Sequence, residues 1–430
     1  MIGNAQGPHS SFLSSLAPRS PPFAPVRISY LESIRGLAAI QVLLLHFFAA
    51  FVPDLVFPGH SSALAASIHL SPLSFLYDGY SAVYIFFTLS GYVLTRSFER
   101  QSMRPQLRIV ARVVRLGLPA LLATVVAAAL MVLFGKANVE AGKWLGSDWL
   151  SHQWDTDLST ISIIRDGTVN ALFLGYRDMP GAVFLAPWQQ STEQSFITPL
   201  WTLSIEFYGS MTILLLCWCA QRSRQLWLLV VILGAVFTIR SAYLCFFAGH
   251  LLAVAYCAER PAPERASLPA ALAAFGLLSC VVADIWQPDW LISLYSWPTP
   301  WLFAGQFPPM QQKAFGAVLF LIGIIHLQVC RDFLSKPWLV ARSKLSFPLY
   351  LMHWPIMCGP AAALFLSLNK MAGTGFAQIS ALVSGIALAV AASKVFASVD
   401  RYAVEISARL RGHAIDNSGV RLDDRAEMAR

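Results

Sequence analysis

Residues 30–51 read YLESIRGLAAIQVLLLHFFAAF, an apolar stretch of membrane-spanning length that nevertheless carries Glu32, Arg35 and His46. A helix needs about 20 apolar residues to cross a bilayer core. At about 100° per residue, the path from Arg35 to His46 is three turns plus about 20°, so both side chains leave the helix from one face. At about 1.5 Å per residue they stand roughly 16 Å apart along the axis. Ionisable groups at such depth are costly unless they face a bundle interior, a polar cavity or a partner. The stretch therefore predicts a membrane fold with a polar lining inside it.

The rest of the composition agrees. Of 430 residues, 56% are hydrophobic and 13% charged, and the mean hydropathy is +0.58. A soluble domain carries about a quarter charged residues, so the expected fold is all-α, a polytopic transmembrane helix bundle. The net charge of +8 does not point to nucleic acid, because the basic residues lie in short loops between apolar runs and not on one compact face. Apolar runs at 32–53, 79–97, 113–135, 198–219, 225–240, 241–257, 267–286, 313–330, 345–366 and 378–398 predict about ten spans, with 225–257 a hairpin broken at Arg240-Ser241. Lys and Arg concentrate in the segments that are cytosolic if the N-terminus is, which predicts both termini in the cytosol.

Residues 1–29, rich in Pro and Ser and without an apolar h-region, are expected to form a disordered cytosolic tail. Residues 30–400 form the transmembrane domain, and 401–430 a cytosolic C-terminal tail that starts as a short amphipathic helix. One long non-cytosolic loop, at about 136–197, mixes Trp144, Trp149, Trp154 and Trp188 with several Asp residues. Trp favours the membrane interface whatever the function. The seven cysteines lie in or at the ends of apolar runs with no zinc-like spacing, and no metal is expected.

Few polar groups sit at membrane depth. His250 and His326 read as packing histidines. Glu206 and His353, each about eight residues inside a span, reach the layer of His46, and two imidazoles with a carboxylate make a proton-handling site. Arg104, Arg108, Arg112 and Arg115 recur every three or four residues as one cationic stripe. Arg104 and Arg108 suit a solvated or lipid-facing stripe. Arg112 and Arg115 run straight into LGLPALLATVVAAALMVLF, and with Arg35 they could collect phosphates at the cytosolic mouth.

Five strings, ESIRGLAAIQVLLLH, VYIFFTLSGYVLT, ARVVRLGLP, WTLSIEFY and LSFPLYLMHWP, stand in the order found in the acyltransferase 3 family, and over most of its length the chain resembles that family. The resemblance implies an acyl group, acetyl by default, taken from cytosolic acyl-CoA to a hydroxyl or amine at membrane depth or on the far side. It implies Arg35 and His46 as the essential pair and Arg112 and Arg115 as contacts to the CoA phosphates. On this reading His46 is the general base, Glu206 or a nearby polar group orients it, and Ser90 or Tyr350 stabilises the oxyanion or holds the donor. The expected partners are the lipid bilayer, acyl-CoA and a hydroxyl acceptor that is a glycan, a lipid-linked sugar or a hydrophobic small molecule. The rival expectation, a proton-coupled transporter of an anionic or acylated molecule, would need inverted repeats, and the sequence contains no such internal similarity.

Overall fold

The computed structural model describes residues 28–57, 63–99, 105–179, 183–255, 263, 265–296 and 308–410. The expected N-terminal tail up to residue 27, the end of the C-terminal tail from 411, and Arg104 lie outside them. A chain this apolar must satisfy its backbone internally, and helices do so within each segment. Among the described residues there is no strand.

The principal helices are α1 (Ser29–Phe51), α2 (Gly79–Glu99), α3 (Pro105–Phe134), α4 (Trp201–Arg222), α5 (Arg224–Thr238), α6 (Tyr243–Ala255), α7 (Ser267–Val282), α8 (Pro308–His326), α9 (Ser346–Ile356), α10 (Ala362–Ala372) and α11 (Thr374–Leu410). Five stretches are long and apolar enough to cross a membrane: Ser29–Phe51, Pro105–Phe134, Thr198–Arg222, Ser346–Ala372 and Thr374–Leu410. A sixth is gained if α8 and the helix Gln328–Leu334 form one span broken by an 89° bend.

Each apolar run expected to span contains a helix, but among the described residues not every helix has the length. Among the described residues, α5, α6 and α7 hold 15, 13 and 16 residues, shorter at about 1.5 Å each than a core about 30 Å thick. α2 has 21 residues but is diluted by Thr88 and Thr95, whose hydroxyls donate to the carbonyls of Tyr84 and Gly91 one turn back. α3 begins eight residues before its expected start, with Pro105 at a position where its missing N–H costs nothing. Arg108, Arg112 and Arg115 thus all sit on the helix. α11 runs unbroken to Leu410, so the expected amphipathic start of the C-terminal tail continues the last helix.

The stretch 136–197 is folded against the bundle. Its π-helical turn Arg165–Leu174 packs on α3 and α4 so closely that a Cβ on Gly167 would stand 2.9 Å from Leu121 Cα. The buried Asp166 carboxylate holds the stretch together by accepting from the Tyr176 hydroxyl (2.8 Å), Gln190 Nε2 (2.7 Å) and the Phe196 N–H (2.9 Å).

α1 packs on α2, α9 and α11. It runs parallel to α9: a Cβ on Gly36 would come within 3.0 Å of Ser343 Cα, just before α9 begins, and ten residues further along each chain His46 meets His353. Small residues allow the tightest crossings, as they do in membrane bundles generally. α2 meets α6 at Gly91 and Gly249, where an added Cβ would be driven into the carbonyl oxygens of Phe246 and Thr88. α7 meets α8 at Gly276 and Gly316 in the same way.

Gly249→Ala is expected to destabilise the bundle by about 1–3 kcal/mol through overpacking. Gly375→Ala, whose Cβ would meet nothing within 4 Å, should leave stability unchanged. Thermal unfolding of the two variants in detergent checks the contrast.

Candidate active site

His46 is placed by α1 near that helix's C-terminal end, and three aromatic rings hold its imidazole. Trp149 stacks on it at 5.8 Å between centroids and 9° between planes. Trp354 meets it edge-on at 5.1 Å and 85°. His353, fully buried, lies at 5.0 Å.

The hydrogen bonds select a protonation pattern. His46 Nδ1 and His353 Nε2 are 2.9 Å apart, and His353 Nδ1 lies 3.1 Å from the Leu349 carbonyl oxygen. A carbonyl only accepts, so neutral His353 carries its proton on Nδ1 and offers a lone pair at Nε2. His46 then donates from Nδ1, the Val42 carbonyl one turn back also accepts from this imidazole, and Nε2 keeps a lone pair. This tautomer, inferred from the partners, is the one a general base requires.

His46 lines a cavity of about 150 Å³ with, among others, Val42, Leu45, Tyr80, Trp149 and Trp201. Tyr350 is also on its wall. The Tyr350 hydroxyl is bonded to the Pro199 carbonyl and lies 2.6 Å from Thr202 Oγ1, which fastens α9 to the start of α4. Nearby, Lys313 of α8 bridges Asp78 (3.3 Å) and Asp284 (2.7 Å). Asp78 in turn accepts from the Ser81 N–H at 3.2 Å, so the ion pair anchors the start of the helix that carries Tyr80.

Toward the N-terminal end of α1 the stripe continues through Val42 and Ala38 to Arg35. Ala38 and Val42 pack with Ala82 of α2, with Val83 and Tyr350 at the border. Only small or branched apolar side chains therefore separate the base from the cation on this face. The Arg35 guanidinium sits over the Phe86 ring at 5.3 Å, its nearest carboxylate is Glu32 at 3.9 Å, and its buried Nε has no partner.

Two more arginines share this layer. Arg112 donates from Nε to Ser210 Oγ at 2.8 Å and from Nη2 to the Glu206 carboxylate. Arg115 pairs with Asp400 at 2.5 Å and lies 5.1 Å from the Phe347 ring. The like charges of Arg115 and Arg35 both act on Arg112. Two of the three guanidiniums thus hold carboxylates, Arg35 is the least committed, and each of the three keeps N–H donors in reserve.

The sequence-predicted residues divide between these two layers. His46 and His353 come together. Glu206 is bound to Arg112 and not to His46, because α4 carries it past α3 in the arginine layer. Ser90 is buried with no partner for its hydroxyl. Gly79 of α2 lies against Leu45, beside His46, and Ser90 is eleven residues further on, roughly 16 Å away along the helix. Ser90 therefore belongs to the layer of Arg35. His250 is held between Thr95 Oγ1 and the Trp227 indole N–H, both at 2.9 Å, as a packing histidine. His326 Nδ1 lies 2.7 Å from the Ile322 carbonyl.

Trp149, Trp354, Ser210 and Asp400 were not singled out by sequence as site residues. Ser210 had a legible signal, one turn after Glu206 on the same helical face. Asp400 would have been found by extending the helical period past Val399. Among the described residues, no group of three or more His, Cys, Asp or Glu could hold a metal.

Residues 28–397 match a family model described as an acyltransferase domain. No curated protein and no solved structure matches the chain.

His353→Phe retains a ring beside His46 but removes the acceptor at Nε2. Nitrogen NMR of histidine-labelled protein is expected to show His46 as the single Nδ1–H tautomer in the wild type and as a mixture in the variant. An unchanged spectrum would show that His353 does not set the tautomer.

Proposed function

The chain belongs to the acyltransferase 3 family, and on that premise we propose that it transfers an acyl group from cytosolic acyl-CoA to the hydroxyl of an acceptor held in the cavity at His46. The observation that carries this reading is the stripe on α1, with an undercommitted arginine at one end, an oriented imidazole at the other, and only Ala38 and Val42 between them.

In this reading Arg35, with the spare donors of Arg112 and Arg115, takes the phosphates of CoA. The roughly 16 Å from Arg35 to His46 suits the extended pantetheine arm, which lies between α1 and α2 once the packed Ala38, Val42 and Ala82 part to admit it. The thioester carbonyl then meets the acceptor hydroxyl in the cavity. His46 Nε2 takes the hydroxyl proton as the oxygen attacks the carbonyl carbon. The C–S bond breaks, and the CoA thiolate leaves and receives that proton from the imidazolium. His353 stabilises the charged ring by accepting from Nδ1, and the stack with Trp149 keeps it aimed. Base catalysis of this kind contributes about 10²–10⁴-fold, and positioning supplies much of the remainder.

His46→Ala should therefore lower acyl transfer by about 10²–10⁴-fold with expression unchanged, measured as thiol release from acetyl-CoA by purified protein. Substantial residual turnover would sink the assignment. Arg112→Ala leaves Glu206 buried and unpaired, so it is paired with the double variant Arg112→Ala/Glu206→Gln. Both should raise the KM for acetyl-CoA by roughly tenfold or more, the loss expected for a charge-assisted hydrogen bond. An unchanged KM in both would remove Arg112 from the donor site.

A further inference from the structure

The cavity at His46 has a chemical character beyond its size. Among the described residues, no Asp, Glu, Asn, Gln, Lys or Arg lines it. Of its hydroxyl groups, Thr198 Oγ1 is engaged with Gln153 Oε1 (2.9 Å) and the Thr192 carbonyl (3.0 Å), while Thr202 and Tyr350 are engaged with one another and with the Pro199 carbonyl. The walls are otherwise Val42, Leu45, Val83, Phe57 and Met179 with the aromatic rings. Of the four side-chain hydroxyls on these walls the protein thus uses three internally, and the His46 imidazole and the Tyr80 hydroxyl are what remain for a ligand.

A sugar ring brings several hydroxyls into whatever site encloses it. Each one buried without a partner costs about 1–3 kcal/mol, and the Asp, Asn or Gln side chains that could satisfy a row of hydroxyls are absent from the described walls. A ring with one hydroxyl has no such deficit. Its hydroxyl meets His46 and its hydrocarbon body buries against the Val, Leu and aromatic side chains, at about 25 cal/mol per Å². A cavity of about 150 Å³ admits one ring of benzene size.

We propose that the acceptor side of this site takes an apolar ring bearing a single hydroxyl, a cycloalkanol or benzylic alcohol in chemical class, in preference to a sugar. The proposal rests on the acyl-transfer reading above. The ester forms between the alcohol oxygen and the acyl carbon, the alcohol proton passes through His46, and CoA leaves as the free thiol.

The test uses the full chain in lipid nanodiscs with acetyl-CoA and five acceptors: cyclohexanol, benzyl alcohol, ethanol, methyl glucoside and N-acetylglucosamine. Thiol release and the mass of the ester are followed in wild type and in His46→Ala. The two ring alcohols are expected to be acetylated with kcat/KM at least tenfold above the sugars, in a His46-dependent manner. Val83→Phe, or Ala49→Leu if the first variant does not fold, narrows the cavity and should lower the preference for benzyl alcohol over ethanol by tenfold or more. His46-dependent acetylation of the sugars at equal or higher kcat/KM would overturn this proposal and leave acyl transfer standing. If no acceptor is acetylated and no thiol is released, the acyl-transfer reading fails, and thermal unfolding decides the pocket. Stabilisation of the wild type by benzyl alcohol and not by methyl glucoside, lost in Val83→Phe, upholds the ring site, and no stabilisation overturns it.

Discussion

The hydrogen bond between His46 and His353 joins two parallel helices at the point where both are most deeply committed. An unpaired imidazole in an apolar bundle would carry the desolvation cost of its polar nitrogens. Here each ring supplies what the other lacks, and the Leu349 carbonyl fixes the direction of donation along the pair. The alignment extends beyond the rings, since Gly36 and Ser343 touch ten residues earlier on the same two segments. A slip of one helical turn, about 5.4 Å, would break both contacts at once. The register of α1 against α9 is thus set at two heights, and the polar lining of the site follows from it.

The arginine layer obeys the same physics in a different balance. Three guanidiniums in one neighbourhood would repel strongly in a medium of low dielectric, and Glu206 and Asp400 offset two of them directly. The residual imbalance gathers at Arg35, whose carboxylate neighbour is distant and whose Nε is buried and unpartnered. Near-neutrality keeps the layer foldable without a bound anion, and the uneven sharing leaves one cation available.

What could be read from sequence follows the range of the interactions involved. The spacing of Arg35 and His46 is a property of one helix, and it was legible from helical geometry alone. That α3 carries an arginine stripe was legible for the same reason. The partner of Glu206 was not, because it depends on how far α4 is displaced along α3, and depth counted from an apparent span end misjudged that offset. The role of Trp149 depends on a folded stretch that carries no strong period of its own. The break between α5 and α6 was legible, because Arg240-Ser241 interrupts an otherwise apolar run at the place where the helix stops at residues 239–242.

The Arg115–Asp400 bond bears on where the functional unit stops. The matched region of the family ends at residue 397, yet α11 continues and delivers the counter-charge of Arg115 three residues later. Trimming the chain to the matched region would remove a carboxylate from the arginine layer while leaving every recognisable motif intact. The electrostatic boundary of this protein therefore lies beyond its homology boundary.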